Sequence, residues 1–235
     1  MIIIRKGIIC LIILLCSSPF LLAVEDNLEE FINNRFAWFG QSSFILISKS
    51  GQVVYIDPVK IPPNYAQADL ILVTHSHYDH YNPAMIKSLQ KDGTKVVVPA
   101  NMAKYDWIGL TEWQTIRVGD YHITGVPAYN INKSYHPHSK NWLGYIIQID
   151  DIRIYHAGDT DLIPEMQRVN CNIALLPVGG RYTMGVTEAV KATEVIDADF
   201  YIPMHYGSII GNRDDGLAFA RQVKRGEVRV LNPVY

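Results

Sequence analysis

From residue 36 onward the chain is written as short apolar runs, often ending in a polar, glycine or proline cluster, with helical stretches between some of them. Short apolar runs bounded by turn formers read as strands, and stretches with apolar positions three and four apart read as helices. Strands are predicted at Ser43 to Ser48, Val53 to Ile56, Leu70 to Val73, Lys95 to Val98, His122 to Val126, Gly144 to Ile149, Arg153 to His156, Ile173 to Leu176, Phe200 to Ile202 and Val228 to Val230. Helices are predicted at Pro83 to Gln90, Ala100 to Asp106, Ile163 to Arg168, Thr187 to Ile196 and Gly216 to Lys224. Ser50-Gly51 and Asp150-Asp151 split two hairpins, and Pro83 suits the first turn of a helix. Strands in this excess, with helices between and after them, predict two packed sheets with helices outside, an α/β/β/α sandwich.

Composition narrows the picture. The chain has 235 residues, 49% hydrophobic and 19% charged, enough apolar material for one core and not for two. A net charge of -2, without any Lys/Arg stripe interleaved with aromatics, argues against tightly bound nucleic acid and leaves a small-molecule substrate as the expected partner. Oligomeric state is not indicated.

Residues 1–24 stand apart. Arg5 and Lys6 precede the unbroken apolar run Ile8 to Leu15, and Ser17, Ser18, Pro19 and Ala23 follow before the first acid, Glu25. This is the layout of a secretory signal, with cleavage expected after Ala23, and it predicts a periplasmic or secreted protein whose domain spans 25–235. The other reading is an uncleaved membrane anchor, since Gly7 to Val24 reaches the lower limit for crossing a bilayer; membrane contact would then run only through this segment. Cys10 and Cys16 fall within it, so the remaining domain keeps only Cys171 and can form no internal disulfide.

The strongest chemical signal is Val73-Thr74-His75-Ser76-His77-Tyr78-Asp79-His80, directly after the apolar strand Leu70 to Val73. Alternate residues of an extended backbone share a side, so His75, His77 and Asp79 can converge on one point while His80 turns to a second. Imidazole nitrogens and carboxylate oxygens are the donors that hold zinc at about 2.0 to 2.2 Å. Two later segments carry further donors at strand ends: Asp159 after the Gly158 turn, and His205 after Phe200 to Met204. Alone, each would be a turn former or an ordinary polar group; beside the cluster they become candidate ligands.

In this order, the His75-His77-Asp79-His80 cluster, the Gly158-Asp159 turn and the Pro203-Met204-His205 strand end resemble the metallo-β-lactamase superfamily, and within it the lactonase and phospholipase-D-like branch. The resemblance runs from about Phe36 to Tyr235. It implies the four-layer metallo-β-lactamase sandwich and two divalent ions, zinc first and manganese second. It further implies that His75 and His77 serve one ion together with a further histidine, that Asp79, His80 and His205 serve the other, and that Asp159 bridges. Asp57, at the end of its strand, would brace the histidine loop. One residue departs from the pattern: after Thr124-Gly125-Val126-Pro127-Ala128 a histidine is expected, and the chain reads Tyr129-Asn130. Either Asn130 ligates through its amide oxygen, which suits a harder ion, or His136 or His138 replaces it, or that ion site is weak.

Around these residues, His136 and Tyr182 are candidate substrate contacts, with Arg181 a further one; His156 is a candidate support for a ligand, and the four tryptophans read as packing residues. A metal pair lowers the pKa of shared water and presents hydroxide, with Asp79 orienting it and handling its proton as the catalytic carboxylate. The predicted function is hydrolysis of a phosphodiester, a lactone or a related ester. The competing reading is a catalytically degenerate metal-binding protein with a binding or scaffolding role. Iron-based redox chemistry at the same ligands is a third, which metal identity would separate.

Overall fold

A computed structural model describes residues 28–234; the leader or anchor, with Cys10 and Cys16, lies outside the described residues. The described chain opens in a helix, α1, at residues 28–34. There follow β1 (Phe36–Trp38), β2 (Phe44–Ile47), β3 (Val53–Ile56), β4 (Ala68–Leu72), α2 (Pro83–Leu89), β5 (Gln90–Pro99) and β6 (Ile108–Leu110). The second half runs β7 (Thr115–Val118), β8 (Tyr121–Pro127), β9 (Leu143–Ile149), β10 (Ile152–His156), β11 (Ile173–Pro177), α3 (Val186–Val195), β12 (Phe200–Met204), α4 (Asp215–Gln222) and β13 (Glu227–Val228). Six strands form one sheet in the order β1 to β6, and seven form the other in the order β13 to β7.

The period of two along β3 and β4 divides the layers. Val54, Ile56, Leu70 and Leu72 pack into the core shared with the second sheet, whereas Val53, Tyr55, Ile71 and Val73 pack on the other face with Ile86 and Leu89 of α2. A strand buried on both faces needs apolar residues at successive positions, which is why these segments read as continuous runs. Beyond the second sheet, Ala189 and Ala192 of α3 and Phe219 of α4 are buried in the main core. The result is the helix–sheet–sheet–helix sandwich expected from the pattern. Each fully buried Leu, Ile or Phe contributes about 1.5–3 kcal/mol relative to exposure.

Two ties fix the sheets to one another. At the end of β9 far from its start, Arg35 donates to Asp150 Oδ2 at 2.7 Å and to the Ile47 carbonyl at 3.2 Å. At the other end, Leu143 N donates to the Thr74 carbonyl and the Tyr145 hydroxyl donates to the Val73 carbonyl at 2.8 Å, which moors β9 to the histidine loop.

Some elements differ from expectation. Ala100 to Asp106 forms only one short 3-10 turn, Ala100–Met102. Met102 is its only large apolar side chain that packs on the core, and a helix with no stripe to bury has little to stabilise it. Ile163 to Arg168 likewise tightens into a 3-10 turn, Pro164–Arg168. Strands β1, β6 and β7 were not anticipated; each has three or four residues and lies in the outer part of its sheet.

Gly144 in β9 is required by close approach: a Cβ there would stand 2.5 Å from the His156 carbonyl oxygen and 2.7 Å from that of Ala157. Gly144→Ala is predicted to destabilise the fold by about 1–3 kcal/mol, measured by chemical denaturation; an unchanged midpoint would contradict this packing.

Candidate metal centre

The sheet ends assemble the site. The loop after β4 turns sharply, with His80 N and Tyr81 N both donating to the His77 carbonyl, before Asn82 caps α2 through bonds from Ala84 N and Met85 N. His75 and His80 are buried, and His77 and Asp79 are half-buried. Asp159 follows the Gly158 turn after β10, where φ is +65°. His205 follows β12 directly in the left-handed region at +58°, where the extended chain breaks off and the imidazole turns inward.

Three groups of donor atoms lie mutually within 4.8 Å: His75, His77 and His136; His75, His80 and Asp159; and Asp79, His80 and His205. Asp159 stands between the halves. Its Oδ2 is 3.1 Å from His205 Nε2 and 3.2 Å from His136 Nε2, and its Oδ1 is 3.2 Å from His80 Nε2. The His75 Nε2 is 3.1 Å from His77 Nδ1.

Outer partners settle which imidazole nitrogens face inward. His80 Nδ1 donates to Asp57 Oδ2 at 2.7 Å, and His75 Nδ1 donates at 3.0 Å to the Thr74 hydroxyl, whose own proton goes to Asp57 at 2.6 Å. His136 Nδ1 donates to Asn130 Oδ1 at 3.2 Å. With the outer nitrogens protonated, the three Nε2 lone pairs point into the cluster. His80 Nε2, His136 Nε2, His205 Nε2 and Asp159 Oδ1 are buried without a hydrogen-bond partner. Buried polar atoms are rarely left so, and a ring of converging lone pairs fits a cation.

The electrostatics agree. Burial pushes the His75 imidazole well below its ordinary range, and neighbouring His80 adds to the effect; burial and His136 also lower His77. Burial alone would raise the carboxyls, but His205 and His80 hold Asp159 well below the usual range, and the same two imidazoles lower Asp79. His80 is held well above its ordinary range because Asp159 and Asp57 outweigh its burial, and Asp159 raises His205 in the same way. Two ionised carboxylates and the neutral imidazoles of His75 and His77 are already in the state that divalent-ion binding requires, whereas His80 and His205 must give up a proton to an arriving ion.

The six residues His75, His77, Asp79, His80, Asp159 and His205 are thus brought together. Asp57 braces the loop as expected, accepting from Thr74 N, the Thr74 hydroxyl and His80. Asn130 is corrected: its amide does not face the cluster. Its Oδ1 accepts from His136 N and Nδ1, and its Nδ2 donates to Asp161 Oδ1 and the Tyr182 carbonyl, both at 2.9 Å. Asn130 is the bracket, and the histidine beside His75 and His77 is His136. His136 as a substrate contact is corrected for the same reason, being only 2% exposed within the cluster.

Lys133 completes the bracket through Asp161 and the Thr183 carbonyl. Tyr182 lies at this edge, half-exposed, its ring against Tyr135. His138 is a surface residue paired with Glu112, and His156 donates to the Ser42 carbonyl and accepts from Gly158 N, shaping the turn before Asp159.

Two residues were missed. Trp142, read as packing, lies with its ring 4.9 Å from that of His75 and 4.8 Å from that of His77, forming an apolar wall. Gln41 donates to Asp79 Oδ2 at 2.9 Å. No motif in the sequence marks either; both sites depend on contacts across 38 residues or more.

Comparison with known proteins gives a consistent result. Residues 35–205 match the family model described as the Beta-lactamase superfamily domain. A UPF0173 metal-dependent hydrolase of Thermococcus kodakarensis is 33% identical over 220 residues, covering 85% of this chain and 96% of the relative. A metallo hydrolase of Ignicoccus hospitalis superposes with a TM-score of 0.70 at 27% identity, over 85% of this chain and 95% of that one. A solved Parabacteroides distasonis protein reaches 0.74 at 32%, over 83% and 92%.

Asn130→Ala should leave all histidines present yet lower the affinity for zinc about tenfold or more, as loss of a bond that orients a candidate ligand would; equilibrium dialysis measures it, and parent-like affinity would refute the bracket. Asp57→Ala should destabilise the metal-free protein by on the order of 3 kcal/mol in denaturant titration, because it strands three buried donors.

Proposed function

The chain belongs to the metallo-β-lactamase superfamily as a metal-dependent hydrolase, and we propose that it cleaves a phosphodiester, a lactone or a related ester at a centre for two divalent ions, zinc first and manganese second. The observation that carries this is the pair of donor groups on either side of Asp159, with inward lone pairs already selected by their outer bonds. His75, His77 and His136 would hold one ion, Asp79, His80 and His205 the other, and Asp159 both. Such ions supply Lewis acidity toward the attacked group and acidify water.

The chain's own residues do the rest. Asp79, half-buried and held ionised beside His205, is the carboxylate that accepts the proton of the attacking water and returns it to the leaving group. Trp142 shields the histidines from bulk water, which strengthens each charge interaction there. The degenerate-protein reading drew its motive from an absent third histidine, and His136 beside His75 and His77 removes that motive.

A cavity of about 620 Å³ begins at Gly40 and Ser208, one hydrogen bond from Gln41, and is walled by Trp38, Tyr206, Leu217 and Leu231 with Arg213 as its cation. Among the described residues no candidate ligand lines this cavity, which reaches Asp79 through Ser208 and Gln41. Room of this size suits the part of a substrate that does not react, and its one lining cation favours an anionic substrate, hence a phosphodiester among the three. Export follows from the layout of residues 1–24 and is tested by N-terminal sequencing of the protein recovered outside the cytoplasm.

The full protein, loaded with zinc or manganese, should hydrolyse bis(p-nitrophenyl) phosphate faster than a simple lactone, and His80→Ala should lower kcat/KM by about a hundredfold or more. Turnover unaffected by both His75→Ala and His80→Ala would sink the proposal. Arg213→Gln should raise KM for the phosphodiester about tenfold with kcat within about twofold, the mark of a lost binding contact rather than lost chemistry.

A further inference from the structure

Gln41 stands in the turn between β1 and β2, where nothing in the local sequence requires a large polar residue. The turn is closed by its own backbone, with Phe39 N donating to the Ser43 carbonyl and Ser43 N to the Gly40 carbonyl. Gln41 nevertheless has φ at +48°, a region that non-glycine residues enter at a cost, and it is only 7% exposed. A strained, buried amide persists only where its surroundings hold it, and here four bonds do.

Its backbone carbonyl accepts from the Trp38 indole at 3.0 Å and from His205 N at 2.9 Å. Its side-chain Nε2 donates to Asp79 Oδ2 at 2.9 Å, and its Oε1 accepts from the Ser208 hydroxyl at 3.0 Å. One residue therefore touches two of the three donors in the Asp79, His80 and His205 group. The oxygen it holds, Asp79 Oδ2, is the one lying 3.6 Å from His205 Nε2 and 3.7 Å from His80 Nε2.

The chemistry of the amide matters. A carboxylate facing two imidazoles can swing about its terminal torsion, and a fixed donor on one oxygen removes that freedom. A lysine or arginine would do this too, but would neutralise a charge that a divalent ion needs. An amide donates without carrying charge, and it titrates nowhere near neutral pH. The backbone carbonyl meanwhile fixes His205 N, where the chain leaves β12 in its left-handed turn.

We propose that Gln41 is the positioning residue for the Asp79–His80–His205 half of the centre: it sets Asp79 through its side chain and His205 through its carbonyl, and so governs occupancy of that half. The inference rests on the two-ion reading above and adds to it a residue that is not itself a ligand. Ser208, which borders the adjacent cavity, holds Gln41 in turn.

The test is titration of the metal-free full protein with cobalt(II), following its visible absorption and the stoichiometry, for the parent, Gln41→Met and Ser208→Ala. Methionine keeps the length and the backbone carbonyl and loses both side-chain bonds. The expected result is a first equivalent bound within about twofold of the parent and a second weakened about 10- to 100-fold, with a changed spectrum for that ion only, while Ser208→Ala weakens the second ion less. Two equivalents bound by Gln41→Met with parent affinities and spectrum overturn the proposal. Equal weakening of both equivalents also overturns it, because it marks a general disturbance of the fold. A parent that takes up fewer than two ions overturns the two-ion reading and this inference together, so the two failures are told apart.

Discussion

Asp159 is the centre on which the structure depends. Five imidazoles and two carboxylates are buried or half-buried at one end of the sandwich, and uncompensated burial of such groups is expensive. The Nε2 atoms of His80, His136 and His205 converge on a single carboxylate that is 3% exposed, held ionised by His205 and His80. A divalent ion can take the place of the protons that His80 and His205 hold against this carboxylate, and the converging donor atoms suit that exchange.

The fold meets this demand by bracing five of these seven donors from outside. Asp57, itself in a left-handed conformation, anchors His80 and, through Thr74, His75. Asn130, tied to Asp161, anchors His136, and Gln41 anchors Asp79 and His205. The braces come from three separate turns, after β3, β8 and β1, so the site is complete only where the sandwich brings these turns together. Both sheets contribute, which explains the mooring of β9 to the histidine loop through Tyr145 and Leu143.

What could be read in advance follows the range of the interactions. The histidine loop is local, four donors within six residues after an apolar strand, and it was plain from spacing. The doubly buried strands were equally plain, because the need for apolar residues on both faces is written residue by residue. Asp159 and His205 were legible only beside the histidine cluster, as donors at other strand ends, since a single acid after glycine is ordinary. Position along the chain favours Asn130 over His136, but the loop from 129 to 137 folds back so that the asparagine faces outward as a bracket and the histidine enters. Gln41 carried no signal, because its meaning lies wholly in contacts with Asp79, Ser208 and His205. The short helix expected at 100–106 failed for want of an apolar stripe, a matter of packing that propensity does not report.

The most direct measurement is elemental analysis of the purified protein together with its melting temperature before and after metal removal. The account predicts about two equivalents of zinc or manganese and a melting temperature that falls on chelation and returns on reloading, since ions that bind only the folded state stabilise it. A protein without bound metal, whose melting temperature ignores both chelator and added ion, would contradict it.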